Sequence, residues 1–337
     1  MADNSAAGGY AAGCPLARHI KRWDFERRLG YSSGEPSATS SRRQPILLDD
    51  MNQISPELAK KLTLAVEKMP AFPKSVQKIL ELTRNMDCEP KHLVQVIEKD
   101  PVMTVKILRV LNSAYYNLPS KITSVNHSVV FLGFNTIKNL VLGIASVGVL
   151  PKHNDAGFDI QQYLLHSLTT AGIAKLLAAK LAGADPMDCY IAGLLHDFGK
   201  VVFAQFMPDE FSRALQKSRN ENISLHVAER QVIGVDHTVV GSMLAEKWQF
   251  SPVLVDCIRN HHSREGGGGG MWASVYAANQ ISKVMAFGDS GNPCIEALPQ
   301  AVSNSFGGDI DAIIVSLGDM SKIVEEAQAF SHAGDDA

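Results

Sequence analysis

Ala192-Gly-Leu-Leu-His-Asp-Phe-Gly-Lys200 is the stretch on which the reading of this chain turns. Ile191, Leu194 and Leu195 have the spacing of a buried helix face. His196 and Asp197 follow, then Gly199, which reads as the helix stop, and Lys200. An imidazole and a carboxylate at the end of an apolar helix are unfavourable to bury unless they pair or hold a metal. As a bare dipeptide, His-Asp also reads as a solvated pair at a helix end. The rest of the chain decides between the two.

Working outward, the periodicity is helical. Four times a capping residue precedes proline: Ser55-Pro56, Asp100-Pro101, Asp185-Pro186 and Ser251-Pro252. Proline suits the first helical position, and the Ser or Asp before it accepts from a free amide. Apolar stripes follow, such as Leu58, Leu62, Ala65 and Met69, or Val105, Leu108 and Leu111. Nothing alternates with period two, and no Asn-Gly or Asp-Gly hairpin turn occurs. The expected fold class is all-α, in two helical lobes. Residues 1–50, rich in Ala, Gly, Ser and charge, read as a disordered tail in which Leu16 to Tyr31 could form a short helix. Residues 51–150 form the first lobe, with five or six short helices, and the polar Pro151–Gly157 segment marks the boundary. Residues 151–330 form the second lobe, with a flexible Gly266–Gly270 loop, a helix from Trp272 to Ala286 and a last helix from Ile310 to Ala329; 331–337 is a tail.

Composition narrows the function classes. Hydrophobic content of 45%, charged content of 20% and a formal net charge of -3 suit a globular protein with no basic field for nucleic acid. Five scattered cysteines without a C-x-x-C point to reduced thiols. The apolar run Leu140 to Leu150 is too short to span a bilayer, and no secretory segment is visible, so a cytoplasmic protein is expected.

Seven of the eleven histidines fall in the second lobe, six of them after the Pro151–Gly157 segment. His166 sits on a long apolar helix, His196 with Asp197 ends the next, His237 opens another, and His261-His262 end a further one. Imidazoles and a carboxylate from different helices are how a helical bundle builds a metal site. Such a donor set suits one divalent transition ion: Fe, Mn, Ni or Zn. His226 reads as a hydrogen-bonded core histidine; His92, His127 and His153 stay unassigned. Lys200 reads either as an anion contact or as favourable charge near a helix C-terminus. Asn112 and Ser113 are expected to hydrogen-bond locally, and Tyr115, Tyr116 and Phe131 to pack.

The order H…HD…H…HH resembles the HD superfamily of metal-dependent phosphohydrolases. Met69-Pro-Ala-Phe-Pro73, Ile97-Glu-Lys-Asp-Pro101, Leu111-Asn-Ser-Ala-Tyr-Tyr116, Leu118-Pro-Ser-Lys-Ile122 and Val130-Phe-Leu-Gly-Phe134 together resemble the HDOD family, the HD-related output domain of bacterial signalling. The resemblance implies an amino-terminal helical lobe packed on an HD-like bundle. It also implies a regulatory protein that works through signalling partners, or, as the alternative, a phosphohydrolase acting on nucleotides or cyclic dinucleotides. By resemblance the metal ligands are His166, His196, Asp197, His237, His261 and His262, and Asp197 and Lys200 are catalytic only in an active enzyme. Two departures stand out: Asn279 lies where the HD pattern closes with an aspartate, and no Tyr-Pro accompanies the glycines after His262. Two divalent ions against Asp197 alone would leave a large uncompensated charge. The expectation is one metal or none, used for sensing or scaffolding.

Overall fold

Each of the four proline-preceded starts opens a helix in the computed structural model, which describes residues 54–83, 89–112, 121–265, 269–292 and 294–334. Before the Pro151–Gly157 segment run α1 (Pro56–Lys68), α2 (Lys74–Thr83), α3 (Pro90–Glu98), α4 (Pro101–Leu111), α5 (Val125–Leu132) and α6 (Phe134–Gly148). After it come α7 (Ile160–Ala178), α8 (Pro186–Leu195), α9 (Phe198–Phe206), α10 (Pro208–Glu221), α11 (Leu225–Val232), α12 (His237–Lys247) and α13 (Pro252–Asn260). The chain continues through α14 (Gly270–Val284), α15 (Gln300–Phe306), α16 (Ile310–Leu317) and α17 (Ser321–Gly334). No strand occurs among the described residues, so the all-α fold holds.

At the four starts the capping side chain does what the sequence implies: Ser55 accepts from Leu58, Asp100 from Met103, Asp185 from Met187 and Asp188, and Ser251 from Leu254. Helix α7 is buried along nearly its whole length, and α8 and α14 pack on it. That all-round burial makes it the axis of the second half.

The first half is tied on through α1 and the Met69-Pro-Ala-Phe-Pro73 turn. Lys247, in the last turn of α12, donates to the carbonyls of Val66, Glu67 and Met69 at 2.7–2.9 Å, satisfying the open end of α1. Trp248 donates its indole N–H to Pro70 O at 3.2 Å and packs on Phe72, with ring centroids 4.4 Å apart. Lys61 pairs with Glu210 across the same junction.

Three expectations need correction or limits, and one of the local ones holds. The helix expected from Ile310 to Ala329 is two, because Gly318 adopts φ +71° and ends α16. Helix α17 then folds back against α4, α6 and α7. Phe131 does not pack inside: with Val130 it is exposed, and its ring lies edge-on to that of His127. Asn112 behaves as expected, bonding Leu108 O and both backbone groups of Ile122. Residues 1–53, including the expected tail and its Leu16–Tyr31 helix, lie outside the described residues, as do Ser113, Tyr115, Tyr116, 266–268 and 335–337.

Candidate metal centre

The pocket is made where four helices end or begin. His166 projects from the middle of α7. His196 and Asp197 form the turn joining α8 to α9, so Gly199 does not stop a helix; it lies in the first turn of the next one. A Cβ there would sit 2.0 Å from His237 O, so only glycine lets α9 and α12 touch. His237 is the first residue of α12, placed by the Asp236 cap, which accepts from Thr238 N and is gripped by Arg230. His261 and His262 form the turn after α13.

All six side chains meet, each almost fully buried. Asp197 is the hub. Its Oδ1 lies 3.1 Å from His237 Nε2 and 3.5 Å from His261 Nε2; its Oδ2 lies 3.3 Å from His196 Nε2 and 3.7 Å from His166 Nε2. His237 Nε2 is 3.2 Å from His262 Nε2 and 3.3 Å from His261 Nε2. Backbone geometry selects which ring nitrogen faces inward. His196 Nδ1 bonds Gly193 O and His261 Nδ1 bonds Ile258 O, each at 2.7 Å, three residues back along the helix. Donation there leaves each Nε2 lone pair for the pocket. His237 Nδ1 bonds the buried Glu229 carboxylate at 2.6 Å, the support that orients metal-binding imidazoles.

Nε2 of His166, Nε2 of His196 and Oδ1 of Asp197 are buried without a hydrogen-bond partner. Burial, opposed only in part by Asp197, holds His166 well below the usual imidazole range. It likewise pulls His261 down to about 4. Imidazoles and an ionised carboxylate with unsatisfied lone pairs, in two groups that share Asp197, fit a divalent transition ion. Asp197 stays ionised: burial opposes its charge, but His196 and Lys200 outweigh that and hold it well below the usual carboxylate value. His237 is pushed up instead, to about 9. Burial again works against the charge, and Glu229, hydrogen-bonded to its Nδ1, together with the nearby Asp197 carboxylate overcomes it.

Lys200 is neither exposed nor at a helix C-terminus. In the first turn of α9 and buried, it sets Nζ 2.7 Å from Asp197 Oδ2 and 3.2 Å from the carbonyl and hydroxyl of Ser290. The loop carrying Ser290 leans on α7 through Gly288, where a Cβ would meet His166 N at 2.3 Å. Asn279 is buried on α14 with Oδ1 unpartnered, a neutral group where the HD pattern has an acid.

Sequence reading missed Glu229, Lys283, Ser290 and Glu296, and gave His226 a purely structural place. In the structure His226 stacks on His262, with centroids 4.2 Å apart, and faces Glu296. A signal existed for one pair: His226 and Glu229 are three apart, one face of a helix. Glu296 has none, since it lies between helices and 34 positions beyond His262.

The family model described as the HDOD domain matches residues 69–264. A protein of Treponema pallidum, itself uncharacterized, is 25% identical over 263 residues; the match covers 77% of this chain and 50% of that one, so the chain spans half its length. The solved HDOD domain protein of unknown function from Geobacter sulfurreducens superposes with a TM-score of 0.68 at 27% identity, covering 81% of this chain and 98% of that one. A protein of Marinobacter aquaeolei VT8, provisionally classed in signal transduction, shares the fold with a TM-score of 0.67 at 23% identity, covering 82% and 65%.

Proposed function

The chain belongs to the HDOD domain family, and from that premise we propose that it is a signal-transduction module whose His–Asp pocket holds one divalent transition ion for sensing or scaffolding rather than turnover. Its partners are signalling proteins in a bacterial cytoplasm; consistent with this, no described helix is long and apolar enough to cross a membrane. The ion's ligands are Asp197 through Oδ1, His237, His261 and His262, with Glu229 setting the basicity of His237.

One observation carries this reading. The Lys200 ammonium sits 2.7 Å from Asp197 Oδ2, on the side where a second ion shared with His166 and His196 would need that oxygen. Asp197 and Glu229 bring two negative charges to the pocket and Lys200 returns one positive. One divalent ion leaves a single positive charge; a second would leave three in a buried site, a desolvation cost of several kcal/mol. Asn279 does nothing to reduce it.

A second reading has its own support. Asp197 is shared between a His166–His196 group and a His237–His261–His262 group, an arrangement in which one carboxylate can bridge two ions. Such an ion pair supplies Lewis acidity and an activated water to phosphate esters. In that reading the chain is a phosphohydrolase of nucleotides or cyclic dinucleotides, and Lys200 must leave Asp197. The deciding experiment loads purified protein with Mn²⁺ or Fe²⁺ and compares wild type with Asp197→Ala for bound metal and for hydrolysis of cyclic dinucleotides and nucleotide phosphates. The signalling reading expects the substitution to remove one equivalent, with no turnover in either protein. Loss of two equivalents together with metal-dependent turnover establishes the enzyme instead.

A further inference from the structure

We propose a second cation site outside the Asp197 group, formed by Nδ1 of His226, Nδ1 of His262 and the Glu296 carboxylate, that takes a divalent first-row transition ion. Three segments remote in sequence build it: the first turn of α11, the turn after α13 and the connection between α14 and α15. His226 Nδ1 lies 3.7 Å and His262 Nδ1 3.9 Å from the same atom, Glu296 Oε1. Those separations exceed a hydrogen bond. Both ring nitrogens are buried and make no hydrogen bond at all. Buried polar atoms are almost always satisfied, so two orphans facing one carboxylate oxygen point to a missing third party.

The carboxylate is held in place for the task. Ser224 Oγ donates to Oε1 at 2.8 Å, the Tyr276 hydroxyl reaches Oε2 at 3.4 Å, and the Glu296 backbone N–H donates to Gln280 Oε1 at 2.8 Å. Two neutral imidazoles with one carboxylate select Mn, Fe, Co or Zn over calcium or magnesium, which prefer all-oxygen sets. An entry route exists: a cavity of about 580 Å³ reaches the rings of His226 and His262 past Arg230, Asp236 and Asn260. The rings stack at 19°, so their nitrogens lie side by side, and closing on one ion asks each to turn about χ2, a broad torsion. The half-buried Lys283, whose charge acts on both Glu296 and His262, opposes the ion, so this is the looser of the two proposed sites.

His262 connects the sites. Its Nε2 faces His237 in the inner group while its Nδ1 faces Glu296. Its ring carries one proton, which must leave if both nitrogens bind, so filling both sites releases that proton. The proposal shares only His262 with the inner pocket and stands whether or not that pocket hydrolyses anything.

The test is a Co²⁺ titration of the chelator-treated full chain, followed by equilibrium dialysis and by visible absorption. Wild type is expected to bind two classes of ion. Glu296→Gln and, separately, His226→Gln should each weaken the looser class at least tenfold and leave the Asp197-dependent class intact. Asp197→Asn should do the reverse, which separates failure of this site from failure of the inner one. Matching circular dichroism shows that the variants fold. The proposal is overturned if both outer variants bind Co²⁺ as wild type does, or if wild type binds only one equivalent and Asp197→Asn abolishes it.

Discussion

A methyl group on Gly199 would lie 2.0 Å from His237 O and 2.9 Å from Gly241 N, both backbone atoms that cannot swing aside. Gly199→Ala must therefore push α9 and α12 apart, a case of overpacking worth about 3 kcal/mol. Because Asp197 and His237 sit on either side of that contact, the same substitution should also weaken metal binding. Urea denaturation and a metal titration of the variant check both; an unchanged midpoint would show that the helices can slide at no cost. At this scale the pocket is a matter of which atoms lack partners. Asp197 has five nitrogens around it, and the nearest is Lys200 Nζ at 2.7 Å.

Among elements, the start of α12 is the part that aims His237. Asp236 accepts from Thr238 N and Thr238 Oγ1 and from Arg230, and its carboxyl is held below its ordinary value. Burial opposes that charge, while His237 and Arg230 outweigh burial. A depressed folded pKa means stability that is present above the unfolded value near 4 and lost as pH falls through the folded one. Asp236→Ala should thus cost about 2 kcal/mol at pH 7, combining a lost cap with a lost charged hydrogen bond. The gap between variant and wild type should close as pH drops below 4. Thermal melts across pH 3 to 7 measure it, and a gap that stays constant would mean the carboxylate contributes nothing as an ion.

Across the whole molecule, an ion held by residues from the turn before α9, from α12 and from the turn after α13 crosslinks segments that the unfolded chain keeps apart. A ligand bound only by the folded state stabilises it by about 2.7 kcal/mol at a hundred times its dissociation constant. For a chain of 337 residues that corresponds to a fall in Tm of about 4 °C on chelation. In the Asp197→Ala variant chelator should shift Tm far less. Differential scanning calorimetry with and without EDTA reads this out, and equal shifts in both proteins would place the stabilising ion elsewhere.

Local features were legible in the amino-acid order: where helices begin, since Ser or Asp before proline satisfies free amides wherever it occurs, and which residue types the second half devotes to a pocket. The order H…HD…H…HH together with the five motifs of the first half carried the family as well. Gly199 and the Ile310–Ala329 run were misread for the same local reason: a glycine's role depends on what touches it, and the stripe Ile313, Leu317, Met320 continues in phase across the break at Gly318. Only the tertiary structure decided that Lys200 turns inward onto Asp197, that Glu229 supports His237, and that His226 and Glu296 face His262. Those pairings join segments separated by loops and whole helices. Nothing in local periodicity encodes such distances; they follow from how α7, α8 and α14 pack.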